Sequence, residues 1–493
     1  MWTAEEVFKG EKKMKKIRML INGEWTGNET DEWIDIINPA AGEVSAQIVR
    51  GNKSHADLAV TAAKKALASP DWKAFKPYER GQLLTETARH IRQHAQELAA
   101  LESEDTGKPV KQAEADIEAA ARYFEFYGGM ADKVFGDTIP IEEDLLNMTV
   151  IEPIGVTLHI VPWNYPIQIT SRSVAAAIAT GNVVIVKSSE DTPLTTHFLA
   201  EWFQDKLPRG VFQHVTGYGH EIGAALSSHP GVNQITFTGS VPTGISVMKS
   251  AAENVVPVTL ELGGKSPNVV FKDADLKRAV PAIVNSIVQN AGQTCSAGSR
   301  LLVEESIADE LLELLQDSFR KLTVGPPESG ADVGPIINKK QYERISSILQ
   351  KVKEEANVLI GGESVQVEGY ENGYYIQPTI VEAADHDAFF VQEEIFGPVL
   401  SVVRFETIQE AIQLANATEY GLVAGVWSKD IDVANYVASR IESGQVFINS
   451  YGAAGGVQMP FGGYKKSGIG REKSHLAVQN YVQIKNIATK IQL

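Results

Sequence analysis

Apolar residues recur at three- and four-residue intervals through 56–68, 78–103 and 109–134. That spacing predicts three helices, with Gly107 punctuating the second and third. From Val156 the pattern changes to short β-branched runs that alternate with helical stretches. Strands are predicted over 156–161, 182–187, 211–216 and 234–237, and helices over 167–180, 194–206, 222–228 and 243–252. Strand, helix and strand at this spacing build βαβ units around a parallel sheet.

A second alternating block runs from Asn268 to about Gly462. Its predicted helices lie near 276–291, 307–321, 340–355, 408–417 and 433–441, and its strands near Leu301, Val358, Leu400, Ala424 and Val446. Leu262-Gly263-Gly264 separates the blocks. Two segments fit neither, 137–153 and 481–493. Paired, they make a small antiparallel flap suited to an oligomer contact.

The chain has 493 residues and a net charge of −17, ordinary globular composition with an acidic surface. Such a surface repels phosphate backbones and anionic lipids, so neither nucleic acid nor a membrane is an expected partner. The longest uncharged run, 153–171, holds three prolines and Asn164 and would span a bilayer poorly. Residues 1–18 mix acids with cations and lack the apolar stretch of a signal peptide, and Met14 offers a second start. One cysteine, Cys295, makes neither an intrachain disulfide nor a thiolate metal cluster, so no metal is expected. A reducing cytoplasm is the expected location.

A lone cysteine is most often a small buried hydrophobe. Cys295 instead stands among small and polar residues, Asn290-Ala-Gly-Gln-Thr-Cys295-Ser-Ala-Gly-Ser, after a predicted helix. That is an accessible loop, where a helix terminus or polarised backbone would lower the thiol pKa. Glu261 follows the apolar run Val258-Thr-Leu, where partial burial raises a carboxylate toward general-base range; a strand-end salt bridge is the plainer alternative. Asn164, in Pro162-Trp-Asn-Tyr-Pro166, belongs at the carboxyl edge of the sheet and is either an oxyanion donor or a turn former. No G-x-G-x-x-G occurs; Gly217-Tyr-Gly219-His-Glu-Ile-Gly223 is one residue too long. Thr238-Gly239-Ser240 forms a strand-to-helix turn whose free amides suit a pyrophosphate. Lys187 and Glu190, three residues apart after a strand, either bracket a ribose or form an exposed ion pair.

Together these residues resemble the aldehyde dehydrogenase superfamily, from Ile21-Asn-Gly-Glu-Trp25 to Gly468. The glutamate motif Leu260-Glu-Leu-Gly-Gly-Lys-Ser-Pro267 and the cysteine motif Gly292-Gln-Thr-Cys295 set Glu261 and Cys295 34 residues apart, the family's spacing. Further matches are Phe237-Thr-Gly-Ser-Val-Pro-Thr-Gly244, Glu393-Glu-Ile-Phe-Gly-Pro398, Phe447-Ile-Asn449 and Pro460-Phe-Gly-Gly-Tyr-Lys-Lys-Ser-Gly468. The resemblance implies an α/β fold of two Rossmann-like parallel-sheet domains plus a small β oligomerisation flap. Residues 14–136 and 154–264 would bind the dinucleotide, 265–466 would form the catalytic domain, and 137–153 with 467–493 would carry the contacts of a homodimer or homotetramer. It implies Cys295 as nucleophile, Glu261 as general base and Asn164 as oxyanion donor. Lys187 and Glu190 would hold the adenosine ribose, Gly239 and Ser240 the pyrophosphate, and Glu394 with Phe396 the nicotinamide ribose, with Trp163 and Leu262 also lining the cofactor.

The implied reaction is hydrolytic oxidation of an aldehyde through a cysteine thioester. A coenzyme A-acylating relative and a non-catalytic family member are the alternatives; Glu261 argues against the first, and the presence of both Cys295 and Glu261 against the second. Glu190 predicts NAD over NADP, because a carboxylate repels a 2′-phosphate. Two departures stand out. Arg172-Ser173 replaces the Trp-Lys found in much of the family, which removes a lysine often linked to the Glu261 proton path, and Ser188 replaces a proline. Arg172-Ser173 is similar to the benzaldehyde and vanillin dehydrogenase branch. That likeness suggests a broad or aromatic aldehyde, with Tyr165 and Tyr451 as walls for a flat ring and Arg172 either stacked on it or facing solvent.

Overall fold

The computed structural model describes residues 15–28, 30–452 and 456–492. The candidate start at Met14 and the last residue, Leu493, lie outside the described residues.

Both alternating blocks fold into sheets. The first has eight strands in the spatial order Gly468–Ile469, Val258–Glu261, Gln234–Thr238, Val156–Ile160, Val183–Lys187, Phe212–Val215, Met19–Ile21 and Glu24–Thr26. Its five central strands run parallel. Their β-branched residues are almost all buried, as a sheet covered on both faces demands. Val156–Ile160 lies between Gln234–Thr238 and Val183–Lys187, so the connections diverge there and open a crevice at the carboxyl edge. Helix Pro166–Ala179 packs over this point, and every residue in it but Gln168 is buried. Its run of alanines lets neighbouring helices approach closely.

The second sheet has seven strands, in the order Asn357–Ile360, Thr379–Glu382, Val399–Phe405, Arg300–Glu304, Pro267–Val270, Val423–Trp427 and Gln445–Ile448, all parallel except the first. After it the chain returns to the first sheet. Gly468 and Ile469 pair antiparallel with Glu261 and Leu260, which brings the segment after Gly468 beside the predicted base. Leu145–Pro153 pairs antiparallel with Val482–Lys490 in unbroken register, the expected flap.

Several element boundaries differ from the sequence reading. The helix expected over 78–103 is two helices, Pro77–Gln93 and Ala95–Thr106, broken at His94, whose ψ of 21° leaves the helical range. The next ends at Gly128, where two glycines follow one another. The helix expected over 222–228 is a π-helical turn, Gly219–Gly223, and one short turn, Ala224–Ser227. The helix expected to reach residue 291 stops at Val288, because Asn290 and Ala291 turn left-handed with φ of 50° and 52°.

Candidate active site

The left-handed turn at Asn290 and Ala291 swings the chain off its helix and presents Cys295. Gly292 continues it at φ 73°, where a Cβ would stand 2.1 Å from the Gly397 carbonyl oxygen, so only glycine fits. Cys295 is partly exposed and packs with Leu422, Val423 and Phe461, with Phe447 and Tyr451 in the same cluster. The accessible loop is present, but the expected lowering of its pKa is not. Burial pushes the thiol up to about 12, and the Arg172 charge is the largest influence opposing it.

Glu261 ends the strand Val258–Glu261 and is buried. Neither carboxylate oxygen has a hydrogen-bond partner, and no ion pair among the described residues includes it, contrary to the salt-bridge alternative. Burial and then the Glu472 charge hold its pKa well above the ordinary carboxylate range, with Arg172 pulling the other way. The two glycines that follow are required by their neighbours. A Cβ on Gly263 would meet Glu394 Oε2 at 2.2 Å, and one on Gly264 the Cys295 carbonyl oxygen at 2.4 Å. The Gly264 N–H donates to Glu394 Oε1 at 2.8 Å. Glu261, the Cys295 loop and Glu394 therefore converge on one turn.

Asn164 ties its own loop to the cysteine loop. Its Nδ2 donates to the Gln293 carbonyl at 3.0 Å, on the cysteine loop, while its buried Oδ1 has no partner. Its own carbonyl accepts from Lys108 Nζ at 2.9 Å and Asn290 Nδ2 at 3.0 Å. Lys108 is in turn held by Asp116 at 2.6 Å and Glu102 at 3.4 Å. Tyr165 hydroxyl bonds Thr294 Oγ1 at 2.7 Å, and Tyr451 hydroxyl donates to the Ser296 carbonyl at 2.8 Å. The two tyrosines bracket Cys295.

Of the predicted cofactor residues, Trp163, Lys187, Glu190, Gly239, Ser240 and Leu262 lie at the carboxyl ends of strands of the first sheet, while Glu394 and Phe396 precede Val399–Phe405 of the second. Lys187 Nζ sits 2.8 Å from Glu190 Oε2. Burial opposes ionisation of Glu190, but the charge and hydrogen bond of Lys187 outweigh it and hold the carboxyl below its usual value. Ser240 caps helix Val241–Ala252, its Oγ accepting from the Thr243 N–H at 3.4 Å, and it is exposed. The Gly239 N–H donates to the Glu261 carbonyl at 3.0 Å. A Cβ on Gly239 would meet the Phe237 ring at 2.6 Å. Trp163 and Phe396 stand edge to face at 5.3 Å. Leu262 packs against Gly244, where a Cβ would lie 2.5 Å from its side chain. The Gly239 amide expected to be free is thus spent on Glu261, while the capped helix N-terminus at Ser240, the contacting Lys187–Glu190 pair and a second carboxylate, Glu394, beside glycines fit a dinucleotide.

Residues 25–487 match the model of the aldehyde dehydrogenase family. The chain belongs to that family. The mitochondrial aldehyde dehydrogenase family 2 member B4 of Arabidopsis thaliana is 39% identical over 493 residues, 99% of this chain and 91% of the relative. A crystal structure from Burkholderia cenocepacia, an aldehyde dehydrogenase by assignment, shares 48% identity at a TM-score of 0.93, covering 96% of this chain and all of its own. The NAD+ complex of a Bacillus cereus aldehyde dehydrogenase is 39% identical at a TM-score of 0.94, with 97% of each chain covered. The fold is the α/β fold of these structures, and the chain is an NAD(P)-dependent oxidoreductase.

Within this aldehyde dehydrogenase the two departures have definite places. Ser188 Oγ bonds His214 Nε2 at 2.9 Å inside the sheet. Ser173 donates its hydroxyl to the Ile169 carbonyl at 3.2 Å, within its own helix. Arg172 neither faces solvent nor is free to stack on a substrate ring. It is buried, paired with Glu472 and set 5.5 Å over the Phe461 ring. The sequence reading missed Glu472 altogether. Arg471-Glu472-Lys473 reads as a solvated charge run, yet Glu472 and Lys473 are buried.

Proposed function

We propose that this aldehyde dehydrogenase oxidises a broad range of aldehydes, or aromatic ones, to carboxylic acids with NAD+ and hydrolyses its own thioester. The observation that carries the reading is Glu261, a buried carboxylate with neither oxygen bonded, beside the loop of the chain's one cysteine.

Cys295 Sγ, as thiolate, adds to the aldehyde carbon, and the carbonyl electrons move to oxygen. Asn164 Nδ2 and the Cys295 N–H receive that oxyanion. Asn164 keeps one bond to Gln293, so its amide is already oriented before substrate arrives. Lys187, Glu190, Gly239, Ser240, Glu394, Phe396, Trp163 and Leu262 would hold a nicotinamide dinucleotide, which would supply the two-electron oxidation. The acyl group then remains on Cys295 as a thioester. Glu261 takes a proton from water, the water oxygen attacks the thioester carbon, and Cys295 leaves as thiolate with release of the acid. Glu190 favours NAD+ over NADP+, since a carboxylate holding the adenosine ribose would repel a 2′-phosphate.

The paired strands Leu145–Pro153 and Val482–Lys490 leave Leu146, Ile484 and Ile487 exposed, which supports their use as contacts of a homodimer or homotetramer. Among the described residues no helix is long and apolar enough to cross a membrane. The single cysteine and the acidic surface support a cytoplasmic enzyme without nucleic-acid or membrane partners. Cofactor reduction with a panel of aldehydes tests the reading. An enzyme that reduces NAD+ with an aldehyde and loses this with Cys295→Ala supports it; Cys295→Ala with undiminished turnover overturns it.

A further inference from the structure

Helix Pro166–Ala179 carries a buried cation, Arg172, next to Ser173. Arg172 pairs through Nη2 with Glu472 Oε2, reaches Thr238 Oγ1 at 3.4 Å and covers the Phe461 ring. Phe461 packs with Cys295 in one apolar cluster. Its backbone exchanges hydrogen bonds with Glu472 in both directions at 2.7 Å. The next residue, Gly462, lies so close to Glu261 that a Cβ there would stand 3.0 Å from Oε1. Phe461 thus stands between this arginine and the nucleophile, and Phe461 with Gly462 between it and the base.

We propose that Arg172 is a positioning residue for both chemical steps, its charge favouring the Cys295 thiolate and, against the like charge of its partner Glu472, the ionised form of Glu261. The proposal rests on the roles assigned above to Cys295 and Glu261. Ser173 cannot share the task, because its hydroxyl is spent inside the helix. The guanidinium is also well placed energetically. A buried charge persists only when paired, and Glu472 supplies the pairing while the aromatic face of Phe461 covers the cation.

Other titratable groups face the same cluster. Tyr123 and Tyr127 come from helix Val110–Gly128, Tyr481 from the end of the turn His475–Tyr481, and Arg471 and Lys473 from either side of Glu472. Glu394 acts on Cys295 from its own loop. Burial raises both Cys295 and Glu261; Arg172 is the largest opposing charge at each. Glu472 raises Glu261 by like-charge repulsion.

Cys295 is the sequence's one cysteine, so uptake of iodoacetamide by the whole protein reports that thiol alone. In Arg172→Met the alkylation profile should move up by about one pH unit, a ~10-fold slower reaction near neutral pH. Arg172→Lys, which keeps the charge, should restore most of that rate. A folded Arg172→Met with the parent profile overturns the proposal. Should that variant not fold, Arg172→Gln decides, since it keeps a hydrogen-bond donor for Glu472 without the charge: the alkylation profile and the acid limb of the pH–kcat profile should both move to higher pH, and two unmoved curves overturn the proposal. Alkylation needs no turnover, so a failure of the aldehyde-oxidising reading, seen as turnover surviving Cys295→Ala, is a separate result.

Discussion

The side-chain amide of Asn164 donates to the main-chain carbonyl of Gln293 at 3.0 Å, joining the loop after the strand Val156–Ile160 to the loop that carries Cys295. The joint is fixed from beneath by Lys108 and Asn290, both donating to the Asn164 carbonyl. In the proposed role of oxyanion donor, Asn164 held this way would need little reorganisation when charge develops on substrate oxygen. Asn164→Ala should lower kcat by ~10²–10³-fold and leave KM for aldehyde within a few-fold. Steady-state kinetics check it; a rise in KM with kcat intact would assign Asn164 to ground-state binding.

Glu261 should matter after the oxidation step. Glu261→Gln keeps its shape but cannot take a proton, so a rapid burst of reduced cofactor should precede slow turnover, because thioester hydrolysis becomes limiting. Stopped-flow absorbance measures both phases. Loss of burst and turnover in equal measure would place Glu261 at an earlier step, on the thiol.

The same carboxylate sets a pH dependence. Burial and Glu472 keep its folded-state pKa above the ordinary value, so the protonated, inactive form persists to higher pH than for a solvated glutamate. Activity is therefore lost as pH falls through that raised value and gained as pH rises. The apparent pKa belongs to the Glu261–Glu472 pair jointly. kcat measured across pH should show this acid limb well above the ordinary carboxylate range, and a limb at that ordinary range would refute the assignment.

How much of this was legible in the chain depends on what each residue needed. Cys295 and Glu261 announce themselves: one is the only cysteine, the other a carboxylate at the end of an apolar strand. The parallel strands were readable because doubly covered strands are continuous apolar runs. The break at His94 was not, since Ala95 to Leu98 carry the helical periodicity straight through. Glu472 was hidden for another reason. Its burial depends on Gly468 and Ile469 returning to pair with Glu261 and Leu260, a contact about 200 residues distant in sequence that no local pattern records. Arg172 was misjudged because its partner was unseen.

Glu190 predicts cofactor choice. Lys187 holds the Glu190 carboxylate in its ionised form. A 2′-phosphate at the same ribose meets a like charge, so kcat/KM should favour NAD+ over NADP+ by about tenfold or more for each 1.4 kcal/mol of repulsion. Glu190→Gln should narrow that ratio mainly by improving NADP+. Equal values for the two cofactors in the parent enzyme would remove Glu190 from this role.

Substrate preference follows from what surrounds Cys295. Phe461, Phe447 and Tyr451 share its apolar cluster, and Tyr165 bonds to its neighbour Thr294. With Arg172 committed to Glu472, any ring preference must come from these aromatic faces rather than from a guanidinium. Aromatic pairs add ~0.5–1.5 kcal/mol beyond area burial, which converts to roughly 2- to 12-fold in kcat/KM. Benzaldehyde and vanillin should therefore exceed hexanal by a factor in that range. A trimethylammonium aldehyde has no flat face to stack, so betaine aldehyde should not lead. Competition assays across the four aldehydes decide the matter. A tenfold or greater preference for hexanal would leave a broad aliphatic pocket, and the same preference for betaine aldehyde would mean that the aromatic faces bind a cation instead of a ring.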